Sequence, residues 1–79
     1  MRVVAFAQLR EMLGGSERTV QIAHGERVAD VWAVLARSAP SIDELRVATR
    51  SVKNGRVVAF DEPVADGDEV AFLPPVGGG

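Results

Sequence analysis

Cysteine and tyrosine are absent from this 79-residue chain, and histidine, tryptophan and lysine occur once each, as His24, Trp32 and Lys53. Without cysteine there are no disulfide staples, no thiolate nucleophile and no thiolate metal site. A single histidine leaves a metal centre without its usual nitrogen ligands, so no metal is expected. Long apolar runs are missing too. Met1 leads directly into "RVVAFA", too short for a signal-peptide core and lacking a cleavage pattern, and no stretch approaches transmembrane length. No membrane association and a cytoplasmic location are the resulting expectations. Positive charge is not in excess: the formal net charge is −2 and the eight arginines are scattered, which argues against a nucleic-acid partner. Length is also scarce. The chain forms one small domain with little room for a deep active site and only a few kcal/mol of net stability.

What is present is ordinary globular material, 47% hydrophobic and 25% charged, punctuated by turn residues. "RVVAFA" (2–7) reads as a central strand. "QLREML" sets Leu9, Met12 and Leu13 at helical spacing, and Gly14-Gly15 ends that turn of helix. "ERTVQIA" (17–23) alternates, with Val20 and Ile22 inward, as a strand with one wet face does. The main helix is "RVADVWAVLARSAP" (27–40), with Val28, Val31, Trp32 and Leu35 on one stripe, Asp30 near its start and Pro40 beyond its end. A loosely patterned stretch through Leu45 and Val47 follows. "RSVKNGRVVAF" holds two β-runs around Asn54-Gly55, the pair suited to a type I′ hairpin. Turns at Pro63 and Asp66-Gly67 lead to a last strand from about Glu69 to Leu73.

A lone amphipathic helix needs a sheet to cover its stripe. The economical arrangement is an α+β roll of the ubiquitin-like, β-grasp kind: a mixed sheet of about five strands on one main helix. Residues 1–76 form this domain and 77–79 a flexible glycine tail.

Few residues suggest chemistry. His24 precedes Gly25 and Glu26 at a turn and reads as a surface loop residue; no serine among Ser16, Ser38, Ser41 and Ser51 is marked as its nucleophilic partner. Trp32, Phe6, Phe60 and Phe72 read as inward-facing core. Asp61, Glu62, Asp66, Asp68 and Glu69 form an acidic patch, either solvated turn material or a docking surface. On the last strand Val70 and Phe72 face one way and Ala71 and Leu73 the other, which puts Leu73 on the sheet's open face as part of an apolar docking strip.

The chain finishes "FLPPVGGG", from Phe72 to Gly79. The glycines follow the last strand and open no helix, so they are no phosphate loop. Glycine lacks a Cβ, and a run of it threads a channel closed to other residues. Pro74 and Pro75 stiffen the base of the tail and project it from the sheet. The terminal carboxylate is then an accessible reagent, inert until activated. Adenylation is the biological route, and another protein must supply it because this chain has no ATP-binding loop.

Three segments carry a family resemblance: "FAQLRE" (6–11), "DGDEVAFLPPV" (66–76) and the terminal Gly-Gly. Together with length and element order, they resemble the small subunit of molybdopterin synthase, the MoaD type, over essentially the whole chain. They are less similar to the thiamine sulfur carrier ThiS, which typically lacks the double proline and the FAQ-R-E segment. The family usually has Ser or Thr before Gly-Gly, where this chain has Gly77.

The resemblance implies a sulfur carrier that binds no cofactor itself. An ATP-using activating enzyme adenylates Gly79, which becomes a thiocarboxylate, and Gly78 supplies the threading backbone. Leu73, Pro74, Pro75, Val76 and Gly77 meet the partner. That partner is the large synthase subunit, with a heterotetramer implied, and it holds the catalytic acids and bases. The sulfur goes to a cyclic pterin phosphate, two carriers completing the dithiolene. Two other functions keep the same tail: a ubiquitin-like modifier joined to lysines, and a sulfur carrier for thiamine or tRNA thiolation. A plain binding module ignores the tail.

Overall fold

The computed structural model describes residues 1–75. Strand β1 (Arg2–Ala5) leads into helix α1 (Ala7–Leu13), strand β2 (Glu17–Thr19), helix α2 (Val28–Ser38), a 3-10 helix (Pro40–Ala48), and strands β3 (Arg50–Lys53), β4 (Arg56–Val58) and β5 (Glu69–Leu73). The five strands form one mixed sheet in the order β2-β1-β5-β3-β4. β1 and β5 run parallel at its centre, pairing Val3 with Val70 and Ala5 with Phe72, and the other neighbours are antiparallel. This is the expected β-grasp roll.

The local signals act as the sequence suggests. Asn54 and Gly55 both adopt positive φ, 49° and 85°, as a type I′ turn requires. Gly14 closes α1 in the left-handed conformation, its N–H bonded to Glu11. In α2 the Asp30 carboxylate accepts the Arg27 N–H at 2.8 Å, the acidic half of a capping box. The next two N–H groups, of Val28 and Ala29, donate to the carbonyls of Glu62 and Phe60. The helix start is therefore tied to the loop between β4 and β5, and its free donors are satisfied.

Val28, Val31, Trp32 and Leu35 press the helix stripe against Val3, Ala5, Val70 and Phe72 of the sheet, all buried, with Leu9, Leu13, Val20, Ile42 and Val64 closing the core. Trp32 is central. Its ring packs edge-on to Phe72 at 5.1 Å and to Phe60 at 5.7 Å.

Three expectations need correction. Phe6 is not inward-facing: it is 45% exposed. Val3 and Ala5 point into the core and the chain stays extended at Phe6, with φ −120° and ψ 157°, so the two-residue alternation turns its ring to the opposite face. The second strand is shorter than 17–23. It ends at Thr19, opposite Arg2; the next pair, Val20 and Met1, exchanges two bonds at the chain's first residue, Val20 N donating to Met1 O at 2.9 Å and the Met1 amine to Val20 O at 3.1 Å, and Val20 is buried. The stretch after the main helix is a 3-10 helix, in which Ile42 is buried, Leu45 half-buried and Val47 fully exposed.

Candidate functional site

The face of the sheet turned away from α2 carries a continuous apolar row. Register aligns Val4 of β1 with Ala71 of β5, Ala71 with Val52 of β3, and Val52 with Val57 of β4. Val4, Ala71 and Val52 are half-buried and Val57 is exposed. One step toward the end of β5, Leu73 is 37% exposed. Arg50 lies opposite it in the antiparallel pair. On its other side, the strand running parallel to β5 brings the extended Phe6 onto the same face. These residues share a face because Val3, Ala5, Val70, Phe72 and Ser51 take the alternate positions and point into the core.

The result is an apolar strip that ends where the chain leaves the sheet. Pro74 and Pro75 follow directly and are half-buried; lacking amide hydrogens, neither can extend β5 as a ladder donor. The strand thus stops at Leu73. Val76, Gly77, Gly78 and Gly79 lie outside the described residues. Of the expected site, the described part consists of Leu73, Pro74 and Pro75, which are adjacent to one another and to the strip. The sequence reading missed Phe6 and Arg50 as neighbours of Leu73, and Val57 as the far end of the apolar row. The run "RVVAFA" is apolar on both faces, so only the burial of Val3 and Ala5 in the folded chain reveals that Phe6 faces outward.

Charge is distributed unevenly along this face. At the tail end, Arg50, opposite Leu73, is exposed. At the opposite end, Arg2 bridges Glu17 and Glu69, and its guanidinium is held more firmly protonated than usual, chiefly by its hydrogen bond to Glu17. The acidic residues read as one patch have separate duties. Glu62 pairs with Lys53 and Glu69 with Arg2. Asp68 accepts Asn54 Nδ2 and the Ala65 amide, each at 2.8 Å. The Asn54 bond, and then the Ala65 bond, hold the Asp68 carboxyl below its ordinary value. These contacts fasten the hairpin turn to the start of β5.

His24 is exposed on the loop before α2, beside Ile22, Val64 and Asp66, at the end of the sheet remote from the tail. Among the described residues there is no group of three or more histidine, aspartate or glutamate side chains placed to hold a metal. No helix among them is long and apolar enough to cross a membrane.

Comparison with known proteins fits this geometry. The model of the ThiS family matches residues 3–79. The chain is 37% identical to the molybdopterin synthase sulfur carrier subunit of Escherichia coli (strain K12), covering all of this chain and 99% of that protein. It is 32% identical to the protein of the same name from Chlamydomonas reinhardtii, covering 100% and 98%. Small archaeal modifier protein 1 of Haloferax volcanii is 32% identical, with 94% of each chain covered. A crystal structure of that modifier superposes with a TM-score of 0.84 at 31% identity, covering 99% of this chain and 97% of the other. A complex of subunits 1 and 2 of the molybdopterin-converting factor from Helicobacter pylori contains the same fold, with a TM-score of 0.66 at 19% identity, covering 99% and 96%.

Proposed function

Because this chain belongs to the ThiS family, we propose that it is a sulfur carrier whose C-terminal Gly79 is adenylated, converted to a thiocarboxylate and used as the sulfur donor in molybdopterin synthesis. The observation that carries this reading is full-length similarity to two molybdopterin synthase sulfur carrier subunits, at 32% and 37% identity. The apolar strip that leads to the tail supports it.

The chemistry divides between partners. A carboxylate is a poor electrophile; its acyl adenylate has AMP as a good leaving group. A sulfur nucleophile attacks that carbonyl carbon, the bond to the AMP oxygen breaks, and the product is an anionic thiocarboxylate. ATP is consumed on the activating enzyme, and this chain supplies the acyl group. The thiocarboxylate sulfur is then the nucleophile toward the pterin precursor. General acid and base groups are the large subunit's, since the described strip around Leu73 is apolar apart from Arg50.

The strip formed by Phe6, Val4, Ala71, Val52, Val57 and Leu73 is the docking surface for the large subunit. Its apolar centre and charged rim have the makeup of a protein interface. Docking there delivers Pro74, Pro75 and the residues after them to the partner.

A second reading has an observation of its own, the 32% identity to small archaeal modifier protein 1: the same activated carboxylate forms an isopeptide bond with a lysine of another protein. Intact-mass analysis after incubation with an activating enzyme, ATP and a sulfur source distinguishes the two. Replacement of one oxygen by sulfur is the expected result. Lysine conjugates without that product support the modifier, and an unchanged mass contradicts both.

A further inference from the structure

Basic charge on this chain is carried by eight arginines and one lysine. The difference matters for a protein that carries an activated acyl group. A guanidinium stays protonated and does not compete as a nucleophile, whereas a free lysine amine does. Lys53 is therefore the one side-chain amine able to capture an activated C terminus of the same kind of chain as a stable amide.

Its surroundings oppose that reaction. Lys53 Nζ donates to Glu62 Oε2 at 2.7 Å and to the Pro63 carbonyl at 3.1 Å, which occupies two of the three ammonium donors. The Lys53 side chain is only 20% exposed and that of Glu62 32%. The acceptors are fixed by backbone. Val28 N donates to Glu62 O at 2.9 Å, Val64 N to Glu26 O at 3.0 Å, and Arg27 and Pro63 form a β-bridge. Lys53 is fixed in turn by pairing with Val70 and Arg56 on its two neighbouring strands. Asp68, whose carboxylate is also stabilised by Lys53, adds negative charge nearby. The α-ammonium of Met1 is engaged as well, donating to Val20 O at 3.1 Å.

We infer that Glu62 and the Pro63 carbonyl hold the only ε-amine of the chain out of reaction, so that one activated copy does not acylate another. The inference rests on the C-terminal activation proposed above. The reaction held off is aminolysis: the Nζ lone pair attacks the adenylate carbonyl carbon, a C–N bond forms, the bond to the AMP oxygen breaks, and the amine gives a proton to solvent. With its nitrogen held by hydrogen bonds to the Glu62 carboxylate and the Pro63 carbonyl and its side chain mostly covered, Lys53 is poorly placed to approach an incoming acyl carbon.

The test has two arms, both with the full chain. In the first, timed exposure to N-hydroxysuccinimidyl acetate is read by peptide mass mapping, which separates Lys53 from Met1. The amine introduced by Arg37→Lys in the exposed last turn of α2 is the internal reference. Lys53 should react roughly threefold more slowly than that reference, the size of effect that a partly exposed ion pair allows. Glu62→Gln should remove most of the difference, with a thermal melt confirming that the variant is folded. Equal rates at the two amines, or no acceleration in Glu62→Gln, would overturn the inference.

The second arm adds the activating enzyme and ATP without a sulfur source. Glu62→Gln should then accumulate two chains joined with loss of one water, and adding Lys53→Arg to that variant should abolish the product. Pyrophosphate release with no joined product above wild type contradicts the guarding role. Absence of pyrophosphate release in wild type counts against the proposed function instead, and the acetylation arm decides the inference by itself.

Discussion

Trp32 Nε1 donates to Asp43 Oδ1 at 2.7 Å, so the largest core side chain is also the link between α2 and the 3-10 helix. The ring fills the space between helix and sheet, and its one polar atom is satisfied at the edge by a residue from the next element. Asp43→Ala leaves that N–H without its partner and should cost about 1 to 3 kcal/mol. Trp32→Ala removes the ring itself and should cost about 3 to 5 kcal/mol, comparable to the whole stability of a domain this small. Thermal melts monitored by circular dichroism check both, and the single tryptophan reports the first change through its own fluorescence. A cooperative melt of Trp32→Ala near the wild-type midpoint would contradict the packing described.

Leu73 and Phe6 offer a different kind of variant, because their exposure frees the fold from dependence on them. Leu73→Asp or Phe6→Asp places a charge in the middle of the apolar strip. Each should lower affinity for the large subunit by tenfold or more, about 1.4 kcal/mol, while moving the melting midpoint little, as exposed substitutions usually do. Calorimetric titration of each folded variant against the large subunit gives the comparison. Wild-type binding by both would rule the strip out as the docking surface.

Asp68 sets a pH dependence with a defined sign. Its folded carboxyl lies below the ordinary value, chiefly because of the Asn54 hydrogen bond. Protonation is therefore harder in the folded chain than in the unfolded one. The associated stability is fully present above the unfolded carboxyl's titration and is lost as pH falls through the depressed folded value. Asp68→Asn should lower the melting midpoint at neutral pH, and the gap from wild type should narrow on acidification below about pH 4. A gap that stays constant down to pH 2 would show that the carboxylate does not supply this stability.

How much of this was legible in the sequence depended on whether the signal was local. Asn54-Gly55 marked the hairpin because the turn itself demands positive φ. The stripe of Val28, Val31, Trp32 and Leu35 marked α2 because one helix face supplies most of the core. Glu69 to Leu73 alternates cleanly and gave both the strand and the outward direction of Leu73. "RVVAFA" does not alternate, so nothing within it said which face Phe6 takes; its neighbours Val3 and Ala5 do so only once the core is known. The 3-10 helix was opaque for a related reason: only Ile42 and Leu45, three residues apart, share its inward face, too few positions to read as a stripe, and Val47 buries nothing. Parallel pairing of β1 with β5 joins residues nearly a chain length apart, and no local pattern encodes it. At the candidate site, the tail chemistry was readable from "FLPPVGGG", whereas the row from Val4 to Val57 is a product of sheet register.

The central claim is that the carboxylate of Gly79 is the reagent and the β-grasp domain its handle. Removing Gly78 and Gly79 tests it most directly, because no described strand or helix includes them. Gly78→Val is the companion variant, its branched side chain filling a channel that admits only backbone. The measurement is sulfur transfer to the pterin precursor with the activating enzyme, a sulfur source and the large subunit, each variant being melted in parallel. The account predicts a wild-type melt for both variants, no transfer by the truncated chain and strongly reduced transfer by Gly78→Val. Transfer at the normal rate by the truncated chain would contradict it.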